Sequence, residues 1–110
     1  MLTVTDDNNG KVLTAAESGT VQTNAGAGGA AAWELPAAAA GITYTFVVMA
    51  AQELRITPAA GDKIIVGASV GDAAEYFYSS TVGHSITITA VDATNWIATA
   101  YTGTWAQQTP

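Results

Sequence analysis

The amino-acid sequence predicts one small all-β domain, an antiparallel sandwich or barrel with at most one short helical turn. Two observations predict this fold class. Apolar residues recur with a period of two along most of the 110-residue chain, which is the period of a half-buried strand. Glycine-marked turns separate these segments at intervals of roughly 8–12 residues, as in β-sandwiches and β-barrels. A chain of this length fits a single domain.

The clearest alternation lies in the middle of the chain. Residues 43–49 and residues 53–57 each place alternate large apolar side chains on one face. The short connection between them predicts that these two strands form a hairpin. Pro58 then ends the second strand, because proline cannot donate a hydrogen bond to the ladder.

Further strands are predicted on both sides of this pair. The second half of the chain has four, at residues 63–66, 75–79, 84–91 and 95–101. The last two are expected to form a hairpin across the turn at residues 92–94. The N-terminal third has four weaker segments, at residues 2–5, 12–15, 20–23 and 31–35. Strands in this number and spacing fit a β-tulip or jelly-roll-like fold.

Two local features set the expected limits of the domain. One short helical turn is expected near residues 36–41, because the alanines there favour helix while a proline and a glycine confine it. Residues 1–101 are assigned to the β domain. Residues 102–110 are assigned to a polar C-terminal tail, in which Trp105 is the one large apolar side chain.

The composition excludes several classes of partner. Charged residues make up 11% of the chain and the net charge is −6. Only Lys11, Arg55 and Lys63 are basic, whereas nucleic acids and anionic membrane surfaces require clustered basic side chains. No apolar run is long enough to span a bilayer, and no signal peptide is visible. A surface built from uncharged residues suits dense packing against other protein molecules.

Candidate chemical sites are few, and each has a simpler interpretation. His84 is the only histidine and there is no cysteine, so no His/Cys metal cluster can form. Residues 6–10 carry calcium-like oxygen ligands but lack the rest of an EF-hand loop, and they suit a turn. Residues 26–29 lack the Lys-Ser/Thr pair of a phosphate loop. Asp72 and Glu75 are close enough in sequence to be considered as a carboxylate pair for glycoside cleavage, but residues 71–72 look like a turn. We therefore expect no enzymatic activity, no metal and no cofactor.

The aromatic residues are the strongest candidates for binding. Trp33 and Trp96 lie inside alternating strands, which predicts that both are in the core. Trp105 lies in the polar tail, which favours an anchor between subunits; packing against its own domain and stacking on a ligand are the alternatives. The candidate interface residues are Trp105, Tyr101, Tyr76 and Tyr78.

Several segments of the chain resemble a module found in structural proteins of tailed bacteriophages. The resemblance is carried by residues 13–19, 23–27, 35–41, 44–46 and 54–62, and near the end by residues 85–88, 95–96 and 102–105. It covers most of the chain. It is a pattern of turns and apolar positions without a catalytic signature, so it transfers no binding residue.

This resemblance implies a virion-surface role. Modules of this kind occur in capsid decoration (cement) proteins, which bind the outer capsid surface and stabilise the head shell. The resemblance implies a homotrimer clamped over junctions of the major capsid protein, made in the host cytoplasm and located on the virion. A chain that begins at Met1 and is nearly all module favours this role. The alternative is a phage fibre or receptor-binding module that recognises host carbohydrate.

Overall fold

Two stacked β-sheets make up the computed structural model, which describes residues 2–108. The strands are β1 (Val4–Asp6), β2 (Val21–Thr23), β3 (Ala31–Glu34), β4 (Thr43–Val47), β5 (Leu54–Thr57), β6 (Lys63–Val66), β7 (Ser69–Val70), β8 (Phe77–Ser79), β9 (Ser85–Ala90), β10 (Asn95–Thr102) and β11 (Ala106–Gln107). A single 3-10 turn accompanies them within the described residues. The predicted all-β sandwich is confirmed.

Both sheets mix parallel and antiparallel pairs, so the predicted fully antiparallel arrangement needs correction. The seven-stranded sheet has the order β1-β2-β4-β9-β10-β6-β7, and the four-stranded sheet has the order β11-β8-β5-β3. The pairs β1–β2, β2–β4, β3–β5 and β6–β10 are parallel. The chain crosses between the sheets from β2 to β3, β3 to β4 and β4 to β5. Between β2 and β4, and between β3 and β5, the chain visits the opposite sheet and returns, so the two strands of each pair run in the same direction.

The predicted hairpin between β4 and β5 is wrong, because these strands belong to different sheets. The connection from β4 to β5 passes from one sheet to the other beside Asn24, whose side chain is fully buried. Its Oδ1 accepts hydrogen bonds from the backbone amides of Met49 and Ala50 at 2.8 and 3.0 Å. Its Nδ2 donates to the carbonyl oxygens of Ala50 and Gln52 at 3.2 Å each. One buried amide therefore shapes the whole connection.

The predicted hairpin between β9 and β10 is confirmed. Asp92 builds its turn, since its Oδ1 accepts the backbone amides of Thr94 and Asn95 at 2.8 Å each. The Asn95 side chain donates to Oδ2 of the same carboxylate at 3.0 Å. These hydrogen bonds, the Asn95 side chain first among them, lower the pKa of Asp92 to about 2.

The helical turn lies elsewhere than predicted. Residues 36–41 contain no helix, and Ala38 is held there by a hydrogen bond from its amide to Oδ2 of Asp62 at 2.9 Å. The 3-10 turn spans Ala15–Glu17. The carboxylate of its last residue accepts the backbone amide of Thr14 at 3.0 Å, which caps the turn. In residues 36–41, the hydrogen bond from Ala38 to Asp62 outweighs the helix propensity of the alanines.

The core lies between the two sheets and is rich in aromatic rings. Trp33 and Trp96 are fully buried, as predicted. The Trp33 ring meets Phe46 edge-on at 5.9 Å, and Tyr44 stacks on Trp96 at the same separation. Burial raises the pKa of Tyr44 to about 12. These rings link the two layers, since β3 carries Trp33 and the seven-stranded sheet carries the others.

Residues 9–13 cover the β3 edge of the four-stranded sheet. They run beside β3, where Ala32 donates to the carbonyl of Asn9 and Leu13 donates to the carbonyl of Glu34 at 2.8 Å. Gly10 has a φ of +79° and lies so close that a Cβ would come within 2.0 Å of the Ala32 carbonyl oxygen. Only glycine fits this position. The covered edge cannot recruit another strand.

The C-terminal segment belongs to the domain. The boundary predicted after residue 101 falls inside β10, which continues to Thr102. β11 then pairs antiparallel with β8, and Gln108 donates its backbone amide to the Tyr76 carbonyl at 2.8 Å. Residues 102–108 therefore complete the four-stranded sheet. The last two residues of the predicted tail lie outside the described residues.

Candidate interaction surfaces

Trp105 packs inside its own chain, which corrects its predicted role as an intermolecular anchor. Its side chain is only 5% exposed and joins the core cluster. The indole Nε1 donates to the carbonyl oxygens of Ser85 at 3.1 Å and Thr102 at 3.2 Å. The alternative of packing against its own domain is therefore the correct one. Trp105 holds the turn between β10 and β11 against the start of β9.

Tyr76 and Tyr78 meet on the outward face of the four-stranded sheet. Their ring centroids are 5.8 Å apart with an edge-to-face angle of 61°. The Arg55 guanidinium lies 4.9 Å from the Tyr76 ring centroid, and its Nε donates to Oε1 of Glu53 at 2.9 Å. All four side chains are partly exposed. We call these four residues the tyrosine–arginine cluster.

Strand alternation places this cluster on the surface. Phe77, the first residue of β8, is buried, so Tyr76 just before the strand and Tyr78 just after Phe77 point outward. Tyr78 lies directly opposite Arg55 on β5 and opposite Ala106 on β11. Ala32 on β3 lies opposite Arg55 on the other side. Because Ala106 and Ala32 are small, the side chains of Tyr78 and Arg55 project beyond their neighbours in the middle of this sheet.

Tyr101 lies apart from the cluster. It is 45% exposed, near the end of β10 in the seven-stranded sheet, and its hydroxyl lies beside Gly67. The four predicted interface residues are thus divided. Two come together, one stands alone on the other sheet, and one is buried.

The outward face of the seven-stranded sheet carries three rows of side chains, all uncharged except Asp6, and we call it the hydroxyl face. The central row is Val4, Val21, Thr45, Thr87 and Ala100. The row on one side is Thr43, Thr89, Ile97, Ile65 and Val70. The row on the other side is Asp6, Thr23, Val47, Ser85 and Thr102.

Many hydroxyls on this face bond to one another across the strands. The Oγ1 atoms of Thr45 and Thr87 are 2.9 Å apart, and those of Thr43 and Thr89 are 3.1 Å apart. Thr43 also lies within bonding distance of the Ile88 carbonyl, at 3.0 Å. Paired hydroxyls need less water, so the face is less hydrated than its threonine content implies.

The hydroxyl face is nearly free of charge. Asp6, at the β1 edge, is the only ionisable residue in its three rows. The exposed Lys63, two residues before Ile65 on β6, lies just outside these rows, opposite Asn95. The remaining carboxylates lie elsewhere: Asp7, Glu17, Glu34, Glu53, Asp62, Asp72, Glu75 and Asp92. The acidic net charge of the chain is therefore carried mostly by its loops and its other sheet.

The other residues considered for chemistry make structural contacts. His84 Nδ1 lies 2.9 Å from Oγ of the buried Ser79. A Cβ at Gly103 would come within 2.2 Å of its ring Nε2, so the ring packs closely on that turn. Asp7 accepts the backbone amide of Asn9 at 3.1 Å within the N-terminal turn. Across residues 2–108, His, Asp and Glu side chains nowhere gather in threes as metal ligands would.

Two larger features are also missing from residues 2–108. The surface of this part of the chain has no pocket. Its secondary structure includes no helix with the length and apolar character that a membrane crossing requires.

Sequence reasoning identified half of the cluster and missed the hydroxyl face. It found Tyr76 and Tyr78 but not Arg55, which occupies an outward position of the strand predicted at residues 53–57. The hydroxyl face has its own signal, since threonine and serine alternate with large apolar residues in β4 and β9. The adjacency of those two strands is a tertiary fact that alternation cannot supply.

Comparison with protein-family models and with curated protein sequences gives no match for this chain.

Proposed function

We propose that this chain is a bacteriophage capsid decoration protein, a non-enzymatic module that binds the outer surface of the major capsid protein and stabilises the head shell. The sequence resemblance described above motivates the proposal. The two-sheet fold is compatible with it, because such a sandwich offers two broad faces for binding other proteins.

The tyrosine–arginine cluster is the observation that supports this role best. Tyrosine and arginine are enriched among the residues that dominate binding energy at protein interfaces. Arg55 is held by Glu53 and by the Tyr76 ring, so little side-chain entropy is lost when a partner binds. A flat sheet face carrying such a cluster fits a broad protein surface.

Assembly into a homotrimer is part of the proposal. Three copies around one capsid axis would engage three shell subunits at once, and linked contacts raise the apparent affinity without any new contact. The number three comes from the resemblance. The proposed location is the capsid surface of the virion.

The experiment that tests this function is quantitative mass spectrometry of purified particles that carry this chain, combined with a cryo-EM map. Decoration predicts a copy number comparable with that of the major capsid protein and density spread over the head. A few copies per particle, with density confined to the tail, would contradict it.

The second candidate is a carbohydrate-binding fibre module. Adjacent, partly exposed tyrosine rings also suit stacking on sugar rings, and Tyr76 and Tyr78 provide two of them. A glycan-binding assay with the purified protein separates the two functions. Binding that Tyr76→Ala abolishes, together with the low copy number, would favour the fibre role.

A further inference from the structure

We infer that the hydroxyl face is the surface on which copies of this chain meet. This inference rests on the proposed assembly of copies, but not on a capsid being the partner. Its occupant is a second copy of this chain, placed against the central row Val4, Val21, Thr45, Thr87 and Ala100.

Charge is the first argument. Every copy carries a net charge of −6, so two copies repel each other on average. The repulsion is smallest where the fewest carboxylates face the partner. The hydroxyl face has Asp6 alone, at its edge, while the other broad face carries Glu34 and Glu53. Like-charged copies therefore meet most favourably through the hydroxyl face.

Desolvation is the second argument. The centres of protein interfaces are depleted in charged residues, because an unpaired charge is costly to remove from water. Thr45 and Thr87 already bond to each other at 2.9 Å, so covering them costs less than covering free hydroxyls. The partly exposed Val21 and Val47 lie beside them, and Ile97 and Ile65 lie in the row that begins with Thr43. These apolar side chains gain free energy when they are buried.

Size is the third argument. The molecule measures 33 × 33 × 22 Å. Stacked sheets lie about 10 Å apart, so the short dimension crosses the two layers and the broad dimensions describe the outer faces. The molecule's cross-section of 33 × 33 Å exceeds the ~800 Å² that each partner buries in a standard interface, so a contact on this side of the molecule can reach that size.

The test compares one substitution at two matched positions. Ala100 and Ala32 are both exposed strand alanines, the first on the hydroxyl face and the second on the outward face of the four-stranded sheet. Each change to lysine adds the same positive charge. Sedimentation velocity across a concentration series measures assembly, and thermal unfolding confirms that both variants are folded.

We expect only one of the two variants to assemble more weakly than the wild type. Ala100→Lys places an unpaired ammonium in the contact and weakens assembly by about tenfold or more. Ala32→Lys lowers the repulsion between copies and leaves assembly unchanged or slightly tighter. Thr87→Lys, at the centre of the face, repeats the first result, while Thr87→Val keeps the surface neutral and retains assembly.

Four results would decide against the inference or separate it from the function. A wild-type chain that stays monomeric throughout the series overturns it, and so does assembly lost in Ala32→Lys but kept in Ala100→Lys. A dimer that Ala100→Lys dissociates supports the face and contradicts the proposed trimer. Intact assembly in a protein that fails to bind capsids leaves the inference standing and counts against the decoration function.

Discussion

The two broad faces of this sandwich are built from the same strand alternation but present different chemistry. The four-stranded sheet exposes Arg55 packed on Tyr76, with Glu53 beside them. The seven-stranded sheet exposes cross-bonded threonines with aliphatic neighbours and a single carboxylate at its edge. In the proposed function the first face would bind a different protein, and the second suits a like-charged copy. The difference shows how a chain with few charged residues can place its charged and aromatic side chains on one face and leave the other face nearly neutral.

The largest expected effect concerns how the four-stranded face is held in place. Trp105 is nearly fully buried and donates to the carbonyls of Ser85 and Thr102. Trp105→Ala leaves a large cavity beneath the turn before β11 and should lower the free energy of unfolding by about 3–5 kcal/mol. Urea denaturation measures this loss.

Tyr101→Ala is the matched control, since Tyr101 is 45% exposed and should change stability by less than about 1 kcal/mol. Equal effects of the two substitutions would mean that Trp105 does not hold the C-terminal strand.

The next prediction tests the division of labour directly on the tyrosine–arginine cluster. Tyr78→Ala removes one anchor and should weaken capsid binding by about 2 kcal/mol, roughly 30-fold. Assembly in solution should not change. Co-sedimentation with particles measures the binding, and unchanged binding alongside unchanged assembly would remove this face from the proposed function.

A smaller effect is expected from salt. Because copies with a net charge of −6 repel each other, screening by added salt should tighten assembly by a few-fold between low and physiological ionic strength. Sedimentation at several salt concentrations provides the measurement. Assembly that weakens steadily with salt would instead indicate attractive ion pairs, which the hydroxyl face does not offer.

The smallest expected effect is at the β9–β10 turn, which supports the hydroxyl face. The folded-state pKa of Asp92 is lowered from 3.8 to about 2. Its stabilising contribution is therefore complete above the unfolded-state value and is lost as the pH falls from about 4 toward 2. Asp92→Asn removes this titration, so stability should fall less steeply with acid than in the wild type. Identical acid profiles would exclude Asp92 as a contributor.

Local pattern identified most strands but not the partners of all of them. Alternation placed β4, β5, β9 and β10 correctly, and the turn at residues 92–94 indicated the predicted hairpin whose two strands do lie in the same sheet. The crossing between β4 and β5 depends on buried Asn24, 25 residues before Met49 in sequence. No local signal in the connection itself reports that contact.

The candidate surfaces show the same limit. Tyr76 and Tyr78 were found because both alternate with Phe77 in the strand predicted at residues 75–79. Trp105 was misjudged because β11 spans only two residues and has no periodicity to reveal its pairing with β8. Arg55 joined the cluster through a strand distant in sequence, so only the sheet order could reveal it.

Hydroxyl-radical footprinting of the tyrosines tests most directly the claim that the two faces have different partners. Three protein samples are compared: dilute, assembled in solution, and bound to particles. We expect Tyr76 and Tyr78 to keep their reactivity on assembly and to lose it several-fold on particles. Tyr101, outside the cluster and 45% exposed, provides the internal reference on particles. Protection of Tyr76 and Tyr78 on assembly alone, or their full reactivity on particles, would mean that the two faces do not have different partners.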